Sequence, residues 1–465
     1  MGIAGKAMAP LAKAFKDKGW QVSGSDHCGV YPPMSDYLKN NNLQYVEGYS
    51  ENNLKKETDL VIVGRSALMV DPRNPEYFRA RFLKIPTISY PEAIAKYLIK
   101  KESIVVAGTY GKTTVTALVS WILKKAGKDP SFMIGGQPLN FPDGVCLNDS
   151  PFSVVEGDET PDLFPSDPPK FLFYRPKYLL LTATHWDHPE IFSSKEEYLS
   201  AFSKLGKLIP KDGKLIYNLD NVDPKLVKEF KGKKISYSFS HHKADWFITD
   251  FLKKSEKTEL HFNKLLKIKT VLLGRANWEN ICGALALCSS LGVDQKSLIS
   301  GVETFLGVKT RLEFLGRHAD KYFYWDFAQH PEKVKASLEA LRDHYSKNRI
   351  ICVFDPSASI LKYKESLNWF TAAFSAANMV LINRISFIKE IKKNDRVKGQ
   401  DLVEAISKGN PEVSLVVYCP LKSQINDFLR AKTSKDDVIV FMSSGGIEFT
   451  KLIEENVSDF KNFKY

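Results

Sequence analysis

The residue types best suited to chemistry are gathered in a short glycine-rich segment, Gly108-Thr109-Tyr110-Gly111-Lys112-Thr113-Thr114. The apolar run 103–107 before it predicts a strand, and residues 113–125 after it predict a helix. Backbone N–H groups of a turn in this position, together with the positive end of the helix, bind phosphates. Lys112 would neutralise the β- and γ-phosphates of a nucleotide, and the hydroxyl of Thr113 or Thr114 would reach Mg²⁺.

This turn departs from the full phosphate-loop pattern, because Val106 occupies the place of the first glycine. The simpler alternative is a glycine turn that carries a surface lysine. The strand before the turn and the helix after it favour nucleotide binding, since that arrangement places the turn at a helix N-terminus.

Further polar side chains follow two other predicted strands. Glu156-Gly157-Asp158-Glu159 comes after the strand 152–155, and His185-Trp186-Asp187-His188 comes after the strand 178–181. In an open α/β sheet the carboxyl ends of the strands face the ligand. Carboxylates there suit Mg²⁺, which takes few protein ligands. For each residue taken singly, a solvated carboxylate or a packed histidine remains the alternative.

The elements around these residues alternate between strand and helix in three segments, 1–101, 102–308 and 309–465, which predicts three α/β domains with largely parallel sheets. In the first segment we expect a helix over 8–18, a strand over 20–24 that ends in Ser25-Asp26, and a buried strand over 60–64. The turn Gly2-Ile3-Ala4-Gly5 should follow a first strand, yet Met1 stands directly before it. We therefore expect a truncated or mis-assigned start.

In the second segment short strands are expected after the turn Asp212-Gly213, over 214–217, 235–239, 246–248 and 258–262, and a helix over 277–291. The third segment predicts another doubly wound sheet, with strands over 350–354, 379–382, 415–418 and 438–441 and helices over 332–344 and 422–431. The aromatic clusters 171–174 and 322–325 indicate core packing.

Composition narrows the class of protein. The 465 residues are 43% hydrophobic and 26% charged, which is ordinary for a globular protein. No apolar run approaches the roughly 20 residues of a membrane span, so we expect a cytoplasmic protein without a membrane partner. Six scattered cysteines without C-x-x-C spacing predict reduced thiols. The net charge of +12 suits polyanionic small molecules, and the dispersed lysines do not favour nucleic acid.

The order of the motifs resembles the Mur ligases, cytoplasmic enzymes that join amino acids or peptides to UDP-N-acetylmuramate, and most of all the branch that joins a tripeptide in murein recycling. The resemblance covers nearly the whole chain. It rests on the phosphate turn and on residues 23–26, 31–35, 134–141, 155–159, 187–192, 274–280, 311–313 and 326–331. It implies a Rossmann-like N-terminal domain, a P-loop ATPase-like central domain and a Rossmann-like C-terminal domain.

The resemblance also implies a role for each matching residue. Lys112, Glu156 and His188 would be catalytic, and Thr113, Glu156 and His188 would hold Mg²⁺. The ATP-binding residues would be Gly108, Thr109, Gly111, Lys112, Thr113, Thr114, Asn277, Arg311 and Asp326. The substrate-binding residues would be Gly2, Gly5, Ser25, Asp26 and His330. Three alternatives stay open: Asn277 as a helix cap, Asp26 as the end of a strand turn, and Arg311 as a surface ion-pair partner.

The reaction implied is transfer of the γ-phosphate of ATP to the lactyl carboxylate of UDP-N-acetylmuramate, followed by attack of an amine on the acyl-phosphate. Six positions depart from the family pattern: Tyr110, His185, Ala276, Trp325, Gln329 and Ser357. We interpret the chain as an active but divergent ligase with an altered amine substrate. The alternatives are an L-alanine-adding ligase, a folate polyglutamate synthase, and a nucleotide-binding regulatory protein without turnover.

Overall fold

The computed structural model of the chain describes residues 1–30, 34–188, 191–253, 257–357, 361, 364–385, 396–443 and 445–457. The chain divides into two compact units. Unit 1 contains Met1–Val271 and Asn277–Gly307, and unit 2 contains Leu272–Ala276 and Val308–Tyr465. Parts of the motifs named above, namely Tyr31, Pro32, Pro33, Pro189 and Glu190, lie outside the described residues.

Unit 1 begins with two small parallel sheets and the helices that cover them. The elements are α1 (Met8–Asp17), β1 (Ser23–Asp26), α2 (Met34–Asn40), β2 (Gln44–Glu47), β3 (Val61–Val63), α3 (Arg65–Val70), α4 (Pro75–Phe82), β4 (Thr87–Ser89) and α5 (Tyr90–Ala93). Strand β1 pairs with β2 and strand β3 with β4. Residues 1–3 bond to both sheets, because Gly2 N donates to Ser25 O at 2.8 Å and the Met1 amine donates to Ile62 O at 2.8 Å.

The predicted strand 20–24 is wrong in its bounds, since β1 starts only at Ser23. Trp20 instead closes the end of α1: its backbone N–H bonds to Phe15 O at 3.2 Å, beside Gly19 in a left-handed conformation. The indole ring packs on Phe15 with the ring centroids 4.7 Å apart. The aromatic residue that suggested a strand is therefore part of a helix cap.

The rest of unit 1 is a ten-stranded sheet covered by helices. In chain order its elements are β5 (Glu102–Ala107), α6 (Lys112–Lys125), β6 (Ser131–Met133), β7 (Val145–Cys146), β8 (Phe152–Gly157), β9 (Tyr178–Leu181), α7 (Lys195–Lys207), β10 (Lys214–Asn218), α8 (Pro224–Glu229), β11 (Lys233–Ser238), β12 (Trp246–Lys253), β13 (Thr258–Phe262), β14 (Leu266–Thr270), α9 (Arg275–Ser290) and α10 (Gln295–Glu303).

Strand β5 lies inside this sheet, where it pairs in parallel with β8 on one side and β9 on the other. Its apolar run is fully buried, as a strand covered on both faces requires. The strand order is β14-β13-β12-β11-β10-β9-β5-β8-β6-β7, and β12, β13 and β14 form an antiparallel extension. The carboxyl ends of β5, β8 and β9 therefore meet at one edge, which is where the polar motifs were predicted to lie.

Unit 2 contains a six-stranded sheet with a hydrophobic core on each face. Its elements are β15 (Glu313–His318), β16 (Lys321–Asp326), α11 (Pro331–His344), β17 (Ile350–Phe354), β18 (Met379–Ile382), α12 (Gly399–Gly409), β19 (Leu415–Tyr418), α13 (Lys422–Lys432), β20 (Val438–Met442) and α14 (Ile447–Asn456). The strand order is β15-β16-β20-β17-β18-β19, in which β15 runs antiparallel to β16 and the other recorded pairs are parallel.

The aromatic clusters 171–174 and 322–325 do pack in cores, because Phe171, Tyr174, Tyr324 and Trp325 are buried. In the parts of the chain that the structure describes, no helix has the length and apolar character needed to cross a membrane.

Two glycines in helices of unit 1 provide a test of this packing. A Cβ on Gly283 of α9 would lie 2.7 Å from the ring of buried Tyr237, whereas a Cβ on Gly206 of α7 would meet nothing within 4 Å. We expect Gly283→Ala to lower the free energy of unfolding by about 1–3 kcal/mol through overpacking. Gly206→Ala should raise it by about 0.5 kcal/mol, because alanine restricts the unfolded chain. Urea titration of both variants checks this, and equal effects would contradict the packing.

Candidate active site

The predicted phosphate turn joins β5 to α6, and two glycines shape it. Gly108 and Gly111 have φ angles of +136° and +81°, which side-chain-bearing residues rarely adopt. Gly111 is also crowded, since an added Cβ would lie 2.5 Å from Oδ1 of Asn280 on α9. Thr109 fixes the turn to the end of β9 by two hydrogen bonds. Its N–H donates to Ala183 O at 3.0 Å, and its hydroxyl donates to His185 O at 2.7 Å.

Lys112 is the first residue of α6, and its ammonium group is held by three oxygens. Nζ donates to Gly108 O at 2.6 Å and to the two carboxylate oxygens of Glu159 at 3.0 and 2.9 Å. The Glu159 side chain is only 1% exposed. Burial works against the charged form, but the negative charge of Glu159 and its hydrogen bonds outweigh burial and raise the pKa of Lys112. Lys112 therefore carries a positive charge.

Glu156, at the end of β8, is brought to the start of α6. Its Oε1 accepts a hydrogen bond from the Thr113 hydroxyl at 2.9 Å, and its Oε2 accepts one from Gly135 N at 2.7 Å. A hydroxyl and a carboxylate in contact fit Mg²⁺, which binds hard oxygen ligands. Within the described ranges no group of three His, Cys, Asp or Glu side chains could hold a metal ion by itself.

The loop after β9 carries the two histidines of the predicted motif. His188 has a left-handed backbone with φ of +56°, and its carbonyl accepts hydrogen bonds from Ile191 and Phe192. The ring of His185 stacks on Tyr110 of the phosphate turn, with the centroids 5.7 Å apart and the planes 20° apart. Two positions that depart from the family pattern are therefore in contact with each other.

Helix α9 begins at Arg275, so Asn277 lies inside its first turn and does not cap it. The capping alternative for Asn277 is wrong. The next turn of the helix faces the phosphate turn, where Asn280 meets Gly111. Glu279 accepts hydrogen bonds from the amide groups of Asn218 and Asn221 at 3.2 Å each, which ties α9 to the end of β10.

The residues predicted for the UDP-sugar site come together at the start of unit 1. Gly5 N donates to Gly2 O at 3.1 Å, and the Asp26 carboxylate accepts from Ala4 N at 2.7 Å. Asp26 thus joins the glycine turn to β1. Its role is therefore larger than that of the alternative, in which Asp26 only ends a strand turn. The Ser25 hydroxyl donates to the buried carboxylate of Glu76 on α4.

In unit 2, Asp326 ends β16 with both carboxylate oxygens occupied. Oδ2 accepts from Leu312 N and Oδ1 from Ala328 N, each at 2.6 Å. Burial raises its pKa from 3.8 to about 6, and these hydrogen bonds offset only part of that effect. Arg311 lies over the ring of Phe327, with its guanidinium carbon 4.8 Å from the ring centroid.

The carboxyl edge of the unit 2 sheet holds three more of the positions predicted to depart from the family pattern, Trp325, Gln329 and Ser357. The side-chain amide of Gln329 donates to the Ser357 hydroxyl, so these two departing positions also contact each other. The Trp325 indole N–H donates to Ser443 O at 3.3 Å. His330 caps α11, because its ring Nδ1 accepts a hydrogen bond from Glu332 N at 3.4 Å. Its ring also packs on Trp369.

Two residues at the phosphate turn were not predicted. Glu159, which holds Lys112, and Asn280, which lies against Gly111, both stand in quoted motifs but received no role. A signal existed for Glu159, because it is an acidic residue three positions after Glu156 at the same strand end. Asn280 carries no such signal, since only the approach of α9 to the turn gives it a function.

Comparison with known families and proteins agrees with this arrangement. Residues 1–101 match the Mur ligase family catalytic domain, residues 169–288 the Mur ligase middle domain, and residues 310–445 the Mur ligase glutamate ligase domain. The chain belongs to the Mur ligase family, whose members are ATP-dependent ligases that form amide bonds. The predicted family and three-domain fold class are confirmed.

Two relatives represent two activities within this family. UDP-N-acetylmuramate–L-alanyl-γ-D-glutamyl-meso-2,6-diaminoheptandioate ligase of Escherichia coli is 31% identical over 368 residues, 78% of this chain and 79% of that protein. UDP-N-acetylmuramate–L-alanine ligase of a Sulfurihydrogenibium species is 28% identical over 449 residues, 96% and 94% of the two chains.

Solved structures share the fold. A UDP-N-acetylmuramate-alanine ligase from Thermotoga maritima superposes with a TM-score of 0.78 at 22% identity, over 98% of both chains. A murein peptide ligase from Psychrobacter arcticus gives a TM-score of 0.65 at 24% identity, over 99% of this chain and 98% of that one.

The raised pKa of Asp326 predicts how the stability of the protein depends on pH. The unfolded chain releases this proton near pH 4, whereas the folded chain keeps it to about pH 6. The folded state binds more protons in this interval, so the contribution of Asp326 to the free energy of unfolding falls by up to about 3 kcal/mol as the pH rises through it. Below pH 4 and above pH 7 the contribution of Asp326 to the free energy of unfolding should not depend on pH.

Urea unfolding of the wild type and of Asp326→Asn across pH 4–8 measures this contribution, because the other titrating groups are shared. The difference between the two curves should change between about pH 4 and 6. Parallel curves would show that Asp326 ionises normally.

Proposed function

We propose that this protein is an ATP-dependent ligase that forms an amide bond between the lactyl carboxylate of UDP-N-acetylmuramate and the amine of L-alanyl-γ-D-glutamyl-meso-diaminopimelate, in peptidoglycan recycling. The observation that carries the proposal is the charged Lys112 in a glycine turn, next to the Thr113–Glu156 contact. The E. coli relative, which is named for this reaction, supports the choice of substrates.

The first chemical step overcomes the poor reactivity of a carboxylate, whose charge repels a nucleophile. Transfer of the γ-phosphate of ATP would convert it to an acyl-phosphate with ADP as the leaving group. Lys112 would neutralise charge on the transferred phosphoryl group, and the N–H groups between Gly108 and Gly111 would orient the phosphates. Mg²⁺ held by Thr113, Glu156 and His188 would supply additional positive charge.

In the second step the amine would attack the acyl carbon, and phosphate would leave through a tetrahedral oxyanion. No covalent bond to the protein is needed, so catalysis would come from positioning and from preorganised charge. We assign the UDP-sugar to residues 1–101, with Gly2, Gly5, Ser25 and Asp26, and ATP to residues 102–308. The amine substrate is assigned to residues 309–465, with His330. The site of action would be the cytoplasm.

A second candidate function is ligation of L-alanine to UDP-N-acetylmuramate. It is favoured by the relative from Sulfurihydrogenibium, whose match extends over 96% of this chain and which is named for that reaction. Offering L-alanine, L-alanyl-D-glutamate and the tripeptide in turn, with ATP, Mg²⁺ and UDP-N-acetylmuramate, and reading the product by mass, distinguishes the two functions. Absence of every product would favour a divergent nucleotide-binding homologue.

The lysine of the phosphate turn provides the sharpest mutational test. Lys112→Ala should lower kcat by about 100-fold or more, because it removes a charge that stabilises the transferred phosphoryl group. Release of ADP in the presence of both substrates is the measurement.

The matched control is Lys177→Ala. Lys177 pairs with Glu102 at 2.9 Å and lies at the opposite, amino-terminal end of the same strands. This variant should keep its activity within about threefold, because the partly buried ion pair lies at the end of the strands away from the phosphate turn. Equal activity of both variants and the wild type would refute the role of Lys112.

A further inference from the structure

The contacts of Lys112 leave its ammonium group without a spare hydrogen bond. An ammonium has three N–H donors, and Lys112 uses them on the two oxygens of Glu159 and on Gly108 O, all within 3.0 Å. A nucleotide phosphate that binds this lysine must therefore take the place of at least one of these oxygens. Glu159, which carries a negative charge, is the partner that a phosphate would replace.

Glu159 is itself fixed in place. Its side chain is buried, and its charge contributes to the raised pKa of Tyr198, of which burial is the larger cause. The Tyr198 hydroxyl lies 3.1 Å from the Thr109 hydroxyl in the phosphate turn. The carboxylate is thus held at the turn by packing and by the turn residues, and is not a mobile surface group that could move away from a phosphate.

We propose that Glu159 is a positioning residue that holds Lys112 at the phosphate turn before ATP binds and that competes with the nucleotide for the lysine. The competition lowers the affinity for ATP and ADP in two ways. The ammonium must give up a hydrogen bond to the Glu159 carboxylate in order to bind a phosphate, and the bound polyphosphate then lies close to a fixed negative charge. Because the affinity for ADP is lowered, the protein would release ADP faster after the reaction. This inference rests on the proposed nucleotide-binding function.

The direction of the effect separates competition from a simple structural role. Loss of a supporting residue weakens binding, whereas loss of a competitor strengthens it. In Glu159→Gln we expect the dissociation constants of ATP and ADP to fall by about tenfold, since one partner of a buried charge pair is removed. The dissociation constant of AMP, which lacks the phosphates that Lys112 would bind, should stay within about twofold, and kcat should fall because ADP is retained.

The experiment is titration calorimetry of ATP, ADP and AMP with Mg²⁺ and without the sugar substrate. The matched control is Asp158→Asn, which removes the neighbouring carboxylate. Asp158 pairs with Lys170 at 2.7 Å instead of with Lys112. This control should bind ATP within about twofold of the wild type.

Glu159→Asp keeps the charge but shortens its reach, so its affinity for ATP should lie between those of the wild type and the Gln variant. If the Gln variant does not fold, as judged by circular dichroism, the Asp variant decides the question. Unchanged or weaker binding of ATP by the folded variants would overturn the competition. Failure of the wild type to bind ATP would instead refute the proposed function.

Discussion

A buried ammonium group needs a fixed counter-charge, and in this protein that need is met where β5, β8 and β9 end together. Lys112 comes from the helix after β5, Glu156 and Glu159 come from the end of β8, and the histidine loop follows β9. Glu159 is the largest of the negative charges that raise the pKa of Lys112, and Glu156 and Asp158 add to its effect, so the amine stays charged and can attract a phosphate. The glycines that shape the turn and the order of the strands both serve to keep these charges together.

Much of this arrangement could be predicted from the sequence, because strands buried on both faces are continuous apolar runs. The strands at 178–181, 350–354 and 379–382 were predicted to the residue, and so was the partly exposed edge strand at 415–418. The hairpin of β15 and β16, in contrast, was not predicted from the sequence. Its two-residue turn is Ala319-Asp320, both with positive φ, and it lacks the Asn-Gly or Asp-Gly pair that normally marks such a turn.

The candidate site was predictable to the extent that strand ends determine it. Glu156 is the next-to-last residue of β8, so its approach to Thr113 follows from the parallel order of β5 and β8. Glu159 lies two residues beyond the end of β8. Its side-chain direction depends there on tertiary packing and not on the direction of the strand, so the sequence does not predict it. The Gln329–Ser357 contact joins residues 28 positions apart, and no local pattern announces it.

Four of the six positions predicted to depart from the family pattern lie in two contacting pairs. Tyr110 stacks on His185 at the phosphate turn, and Gln329 bonds to Ser357 at the carboxyl edge of the unit 2 sheet. In each pair the side chain of one residue contacts that of the other, so a substitution at either position also changes the surroundings of its partner.

The central claim is that Lys112 and its turn activate a sugar-borne carboxylate as an acyl-phosphate. Hydroxylamine intercepts acyl-phosphates, so incubation with ATP, Mg²⁺ and UDP-N-acetylmuramate, but without an amine substrate, should give the sugar hydroxamate in the wild type and little in Lys112→Ala. Equal hydroxamate from both proteins, or none from a wild type that completes the ligation, would contradict the account.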